Sequence, residues 1–569
     1  MNLKLNTVNE QKHIINRQVL ELTIPERGVA QSVQNKSSEI VKYKLQPALD
    51  KLFSKLTTAD EIIRIDKLVV DLGTVSVNEL ENVLVERSLK EISDKINRLK
   101  ISGLIKTGIK SVNGHSAGVN EKFTSTSESK DLLDQFVYFL QFGRFPWWQK
   151  SDKSSANTDK TQLQEIFDEI LKSEVAVLKS VILPLLGDPL VRKRLVFQFN
   201  QTQLSALLKK LDNKLFETYF SVFQVLRSGV KSTQNKKALT ESFYKIILQN
   251  FSSDRKLDKV DLKIEFIKEV LGIFLTKYSI KENETLLIEI LQNLENRQSK
   301  NSSEEWDLAI ATVVQVALKM QTQNQELHKI IQDILLKEGL KVKGLVEKHL
   351  KISLNENGKN NGADTTESEN NVNDFFAEDI KRSTIENREK PFFPFPPKPT
   401  DDAEGIVVSN AGLVLIHPFL RYFFDGLGLL DKELHFKSQT DVFKAIHLLQ
   451  FVATAQNSSS EADLPLNKIL CGLDIKQPVP NVLQLSKIEK EECLNLIITV
   501  LERWDALRTR NPAALRDTYL QREGILKQSG QSWNLTIERN SFDVMLEKLP
   551  WSISLIKLPW LTQILYVEW

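Results

Sequence analysis

Ser302-Ser303-Glu304-Glu305-Trp306 opens the stretch that decides the fold, and Ile310, Val313, Val314 and Ala317 follow it at helical spacing. Apolar residues that recur every three to four positions share one face of an α-helix, so this spacing predicts a helix with one face buried against another helix. The Ser and Glu residues at its front are a candidate capping box. The same reading extends on both sides. Between Leu190 and Lys390 the chain has no proline, so nothing forbids long helices there. Residues 131–350 are therefore read as one helical region whose only prolines are Pro146, Pro184 and Pro189. No fixed period indicates a solenoid repeat.

Upstream, residues 107–130 are rich in Ser, Thr, Gly and Asn and read as a linker. Residues 12–106 read as a small α+β docking unit with the order strand, helix, strand, helix. His13 to Ile24 is rich in β-branched and aliphatic residues and stops at Pro25-Glu26-Arg27-Gly28. A helix is predicted from Val29 to Leu56, a second strand from Ile62 to Gly73, and a second helix from Asn78 to Leu99. Such a unit suits docking or self-association.

Downstream, residues 351–401 read as a disordered and Pro-rich linker. Residues 354–390 carry mostly Asn, Glu, Ser and Thr, a composition with little apolar surface to bury. Pro391-Phe392-Phe393-Pro394-Phe395-Pro396-Pro397-Lys398-Pro399 follows as a stiff spacer. Residues 402–569 form a Trp-rich C-terminal domain. Helices are predicted near Leu413–Phe424, Asp441–Ala455 and Lys487–Leu507; in the last, Cys493, Leu494, Ile497, Leu501 and Trp504 share a face. Trp533 to Glu538 and Ile564 to Trp569 read as short strands. The fold class is mainly α: a small α+β N-terminal unit, a long helical middle and an α+β C-terminal domain.

Composition excludes several function classes. The chain has 569 residues, with 76 basic and 74 acidic side chains and a formal net charge of +2. That balance argues against nucleic acid as the main partner, because a phosphate-binding surface needs excess Lys and Arg. Two cysteines, Cys471 and Cys493, make neither a disulfide framework nor a structural zinc site, and fit a reducing compartment. Residues 1–11 carry no apolar signal region, and no run of about 18 apolar residues marks a membrane span. A cytoplasmic protein is expected, unless a larger assembly carries it out.

No catalytic constellation emerges, and the chain is read as a non-enzyme with no catalytic, cofactor-binding or metal-binding residues and no cofactor. Gly114-His115-Ser116-Ala117-Gly118 fits the pattern of a nucleophile elbow, but it sits in the polar linker with no strand before it. Gly103-Leu104-Ile105-Lys106-Thr107-Gly108-Ile109-Lys110-Ser111 imitates a phosphate loop but carries Ile109 too many before its Lys. The seven histidines are scattered, none within four residues of another. His417, before Pro418 in an apolar run, reads as a core or capping histidine.

Tryptophan is where the sequence is unusual. Leu549-Pro550-Trp551 and Leu558-Pro559-Trp560 repeat one unit, Pro146-Trp147-Trp148 offers a third Pro-Trp, and Trp569 stands last. Proline sets the local backbone, so each indole is delivered at a fixed angle after a turn. Core packing is the first role of any one of them. Their clustering makes Trp147, Trp148, Trp551, Trp560 and Trp569 interaction candidates as well.

These residues carry a resemblance. The chain resembles the tape-measure proteins of contractile injection systems, the phage-tail-like devices of bacteria. The resemblance lies in His13-Ile14-Ile15-Asn16-Arg17 with Ile65 through Gly73, and in Phe139-Leu140-Gln141-Phe142-Gly143-Arg144-Phe145-Pro146-Trp147-Trp148. It lies most specifically in Asn410 through Leu420, Pro465 through Gly472, Leu515-Arg516, Leu520 through Gly524, both Leu-Pro-Trp units and Val567-Glu568-Trp569. It implies a structural role, setting tube length or assisting assembly. The implied partners are inner tube and spike or baseplate hub proteins, or the tube terminator, with incorporation into the particle. The alternative is an adaptor that recruits a particle component or cargo through the C-terminal domain. A helix rises about 1.5 Å per residue, so roughly 200 helical residues laid out as a rod would span on the order of 30 nm.

Overall fold

The computed structural model describes residues 13–15, 18–24, 27–57, 61–65, 67–106, 123–146, 149, 162–252, 259–298, 303–320, 324–337, 342, 344–346, 405–457, 459–481 and 484–569. Most of the described residues are helical, and they divide into two units. The stretch read as a Pro-rich linker, 351–401, lies outside the described residues, as do Trp147 and Trp148.

In the N-terminal unit, the Arg27–Ile40 helix runs through a π turn, Val41–Leu45, into the Gln46–Leu56 helix. A second helical run begins at Leu80–Asn82, passes a π turn at Val83–Arg87 and continues as Ser88–Lys106. Their apolar faces meet in a small core of Val33, Ile40, Leu80 and Leu84, with Ile24, Leu72, Val75 and Val85 packed against it. The two predicted strands fare differently. Residues 13–15 and 18–24 form no strand. Of the second strand only Glu61–Ile65 (β1) enters a sheet, antiparallel to Phe123–Ser127 (β2) with Ile63 opposite Ser125. β2 and the start of the Glu128–Phe142 helix fall inside 107–130, so that stretch is not linker throughout. The cause is pairing. A strand is defined by its neighbour's hydrogen bonds, which periodicity within one segment cannot supply.

In the second unit the expectation of one buried face for the Glu304–Lys319 helix is exceeded. All ten residues from 308 to 317 are buried. The helix packs against Lys259–Leu275, Ile280–Gln298 and Gln201–Gly229, and a helix covered on all sides carries apolar side chains all round. Ser303 makes no side-chain cap, and its hydroxyl donates to the Glu305 carboxylate at 3.1 Å; Ser302, the first residue of the predicted capping box, lies outside the described residues. The Gln201–Gly229 helix breaks at Asp212 (φ −156°, ψ 97°), whose carboxylate caps Leu215 N–H at 3.0 Å. Freedom from proline therefore did not produce a rod. Ile280–Gln298 has 19 residues, about 28 Å of helix, and the helices fold back around a common core.

The C-terminal part of the chain carries a mixed sheet in the order β3-β4-β5-β7-β6, where β3 is Ile406–Val408, β4 Gly524–Ser529, β5 Ser532–Ile537, β6 Leu555–Ile556 and β7 Ile564–Glu568. β4 and β5 form a hairpin, and β5 runs parallel to β7 with Leu535 opposite Val567. Burial alternates along β5 and β7, so one face is core and the other is open. Sequence reading finds β5 and β7 and misses β3, β4 and β6. The predicted Leu413–Phe424 helix is a 3₁₀ helix, Ala411–Phe419, followed by a short α-helix, Leu420–Gly426; Pro418 lacks the N–H that an α-helix would use. On the Lys487–Arg503 helix, Cys493, Ile497 and Leu501 are buried, whereas Leu494 is 39% exposed.

Candidate functional site

The most unusual chemistry in the second unit is an ionic cluster with no access to water. Arg194, from the Pro189–Gln198 helix, and Glu461 have side chains 0% exposed, and Lys468 is 1% exposed. Arg194 Nε donates to Glu461 Oε2 at 3.1 Å, and Lys468 Nζ donates to Oε1 at 2.7 Å. One carboxylate thus serves two buried cations. Backbone carbonyls complete the shell. The Arg194 guanidinium donates to Leu140 O and to Lys476 O (2.5 Å), and Lys468 to Ile475 O (3.0 Å). Gln198 extends the network, donating to Val479 O at 2.6 Å and accepting Glu461 N–H at 3.2 Å. Burial pushes the Lys468 ammonium down, and Glu461 opposes that.

This cluster joins two stretches singled out in the sequence. Leu140 and Gly143 come from the segment beginning at Phe139, and Lys468 from the segment beginning at Pro465. Gly143 ends its helix at φ +70°, and a Cβ there would lie 2.3 Å from Glu461 Oε1. Only glycine permits both the turn and the carboxylate's approach. Sequence reading named Gly143 and Lys468 within motifs but missed Arg194 and Glu461. Their separation of 267 residues leaves no local signal.

The tryptophans form the second constellation, and the indole N–H groups of Trp551, Trp560 and Trp569 each bond inside the unit. Trp560 donates to Leu470 O at 2.8 Å and packs on Phe424 and Phe436, with centroids at 5.5 and 5.3 Å. Trp551 donates to Leu415 O at 2.9 Å and meets Phe419 edge-on. Trp569 donates to Asp543 Oδ2 at 3.1 Å beneath Arg522, 5.5 Å from its ring. Arg522 in turn forks onto Asp543 at 2.8 and 3.0 Å. Burial raises the Asp543 carboxyl, but Arg522, Asn540 N–H and Trp569 outweigh it and hold it below the usual range. Replacing Trp560 by Phe keeps the packing and strands the Leu470 carbonyl. We expect a loss of about 1–3 kcal/mol, read as a lower urea midpoint by fluorescence.

His417 and His447 bond to the carbonyls of Val414 and Pro480, and burial lowers both below the usual imidazole range. Cys471 and Cys493 are free and buried; burial pushes Cys471 up, and Cys493 up to about 12. A thiol that high is not a thiolate at neutral pH. Both should resist a disulfide-exchange reagent at pH 8 in the native chain and react fully in denaturant, a difference of at least a hundredfold in rate. Among the described residues no group of His, Cys, Asp and Glu is placed to hold a metal ion. The Gly114–Gly118 elbow pattern lies outside the described residues, and Gly103–Lys106 is helical rather than a loop.

The arrangement is that of a helical structural protein, with its polar chemistry turned inward to hold segments together. The chain matches the family model described as contractile injection system tape measure protein over residues 12–569, and it belongs to that family. No curated protein and no solved structure matches it. The chain is accordingly a structural tape-measure or assembly protein of a phage-tail-like contractile injection system, associated with that particle. Among the described residues no helix is long and apolar enough to cross a membrane.

Proposed function

We propose that this chain acts without catalysis, enters the particle from the cytoplasm, and meets the inner tube together with the spike or baseplate hub, or the tube terminator. The match of the family to nearly the whole chain carries this reading. The bundle refines how length is registered. Its helices surround Glu304–Lys319, so they contribute the length of a bundle and not the sum of their helices. Residues 354–390 lie outside the described residues, and their composition offers little apolar surface to bury, which makes them the segment whose length we would change.

The test is particle length by electron microscopy after duplicating or deleting residues 354–390. An extended chain spans at most about 3.5 Å per residue, so 37 residues account for up to about 130 Å. Length that moves in the direction of the change supports the ruler. Normal length with missing caps or cargo would favour the adaptor.

A further inference from the structure

Beyond β1, Lys67-Leu68-Val69-Val70-Asp71-Leu72 form no helix, turn or bend. Burial alternates along it: Leu68, Val70 and Leu72 are half-buried, while Lys67, Val69 and Asp71 are exposed, Val69 at 46%. Leu72 packs against the small core of the N-terminal unit. This is the pattern of a strand in a sheet with one wet face, yet no strand pairs with it among the described residues. In an extended chain, successive residues direct their main-chain N–H and C=O to opposite edges. On one edge Val69 O accepts from Lys95 Nζ at 2.5 Å. On the other, Leu72 O accepts from Arg87 Nη1 at 2.7 Å, while Leu68 and Val70 have no hydrogen-bond partner among the described residues. An open edge with alternating side chains is a template for another strand.

We propose that this edge pairs antiparallel with the same edge of a second copy of the chain, about a two-fold axis through Val69. The register follows from three conditions. Both copies must keep their apolar residues on one face, which restricts the axis to a residue centre. Centring on Val69 sets Lys67 opposite Asp71 of the second copy, twice by symmetry, on the exposed face. Asp71 keeps Gly73 N–H on one oxygen (2.9 Å) and has the other for the ammonium. Centring on Val70 would set Val69 against Asp71 and Lys67 against Gly73; centring on Leu68 would set Lys67 against Val69. The Val69 register also makes Leu68 and Val70 the pair that exchanges main-chain bonds, the two residues whose edge is open, and leaves Val69 O to Lys95. Isologous contacts of this kind are self-complementary by construction.

The test uses the full chain carrying Val69→Cys. Facing Val69 positions form a non-hydrogen-bonded pair with Cα atoms about 4.5 Å apart, within disulfide reach, and the native cysteines are buried. Mild oxidation followed by non-reducing electrophoresis should give a covalent dimer at least about tenfold faster than Val77→Cys, which is 51% exposed but off the edge. Adding Lys67→Asp turns two attractions into repulsions and should slow cross-linking about tenfold; adding Asp71→Lys to that variant should restore much of the rate. Cross-linking of Val69→Cys no faster than Val77→Cys, or unaffected by Lys67→Asp, overturns the proposal. The first of these is also the result expected if a strand from another particle component occupies the edge.

Discussion

Glu461→Gln should destabilise the second unit by about 3–5 kcal/mol, because it removes the anion shared by two buried cations while leaving both in place. The amide is nearly isosteric, so packing is not the cause. Arg194 keeps only its carbonyl acceptors. Lys468 can relieve part of the loss by releasing its proton, since burial already lowers its affinity. The sign of the pH dependence follows. Between the depressed folded-state pKa of Lys468 and its unfolded value near 10.5, the unfolded chain binds more protons, so stability rises with pH. Without Glu461, which raises it, Lys468 is lowered further than in the parent, so the deficit of Glu461→Gln should narrow as pH rises between the two folded-state values. Urea unfolding followed by tryptophan fluorescence from pH 7 to 10 reads both effects. A midpoint equal to that of the parent at pH 7 would show that the carbonyls alone hold the cations. Replacing Arg194, Glu461 and Lys468 together by Met, Leu and Met should cost far less than the single change, because no unpaired charge remains.

Gly412→Ala should be the most damaging single methyl in the described C-terminal part. Its backbone is not in the left-handed region; space is what forbids a side chain. A Cβ at Gly412 would lie 1.7 Å from Tyr519 O, 2.6 Å from Tyr519 C and 2.8 Å from Leu520 Cα. All three are main-chain atoms that no rotamer change can move aside. Here the Ala411–Phe419 helix crosses the π turn Arg516–Leu520, and Ala411 N–H donates to Arg522 O at 2.9 Å beside the crossing. Separating the two backbones would also disturb Tyr519, whose ring packs at a tilt against the fully buried Trp504 with centroids 4.9 Å apart. A loss of several kcal/mol, at or beyond the upper end of overpacking costs of about 1–3 kcal/mol, is expected, with poor soluble yield at 37 °C. A urea midpoint within error of the parent would mean that the two backbones can separate freely. Gly530→Ala, with nothing within 4 Å of its Cβ, supplies the comparison; its φ of +57° costs only local strain.

Much of this architecture is legible from local pattern alone. Helical spacing at Ile310, Val313, Val314 and Ala317 locates the helix at the bundle's centre, and alternation locates β5 and β7. The Leu-Pro-Trp units flag indoles that the fold uses as internal pins. These features are local, because hydrophobic period and proline stiffness act within a dozen residues. Three things are not local. The proline-free stretch, which permits a rod or a bundle, forms a bundle because buried faces on every helix need neighbours, and Asp212 turns the chain to provide them. Among the described residues, the strand predicted at 13–24 joined no sheet and the one predicted at 62–73 joined a sheet only through residues 62–65, because a ladder requires a partner segment. Arg194 and Glu461 meet across 267 residues, where each alone reads as one more surface charge. Local chemistry thus settled the helical class and the aromatic anchors. Only the tertiary fold decided which charges lost their water, since that depends on what packs over them and not on their neighbours in sequence.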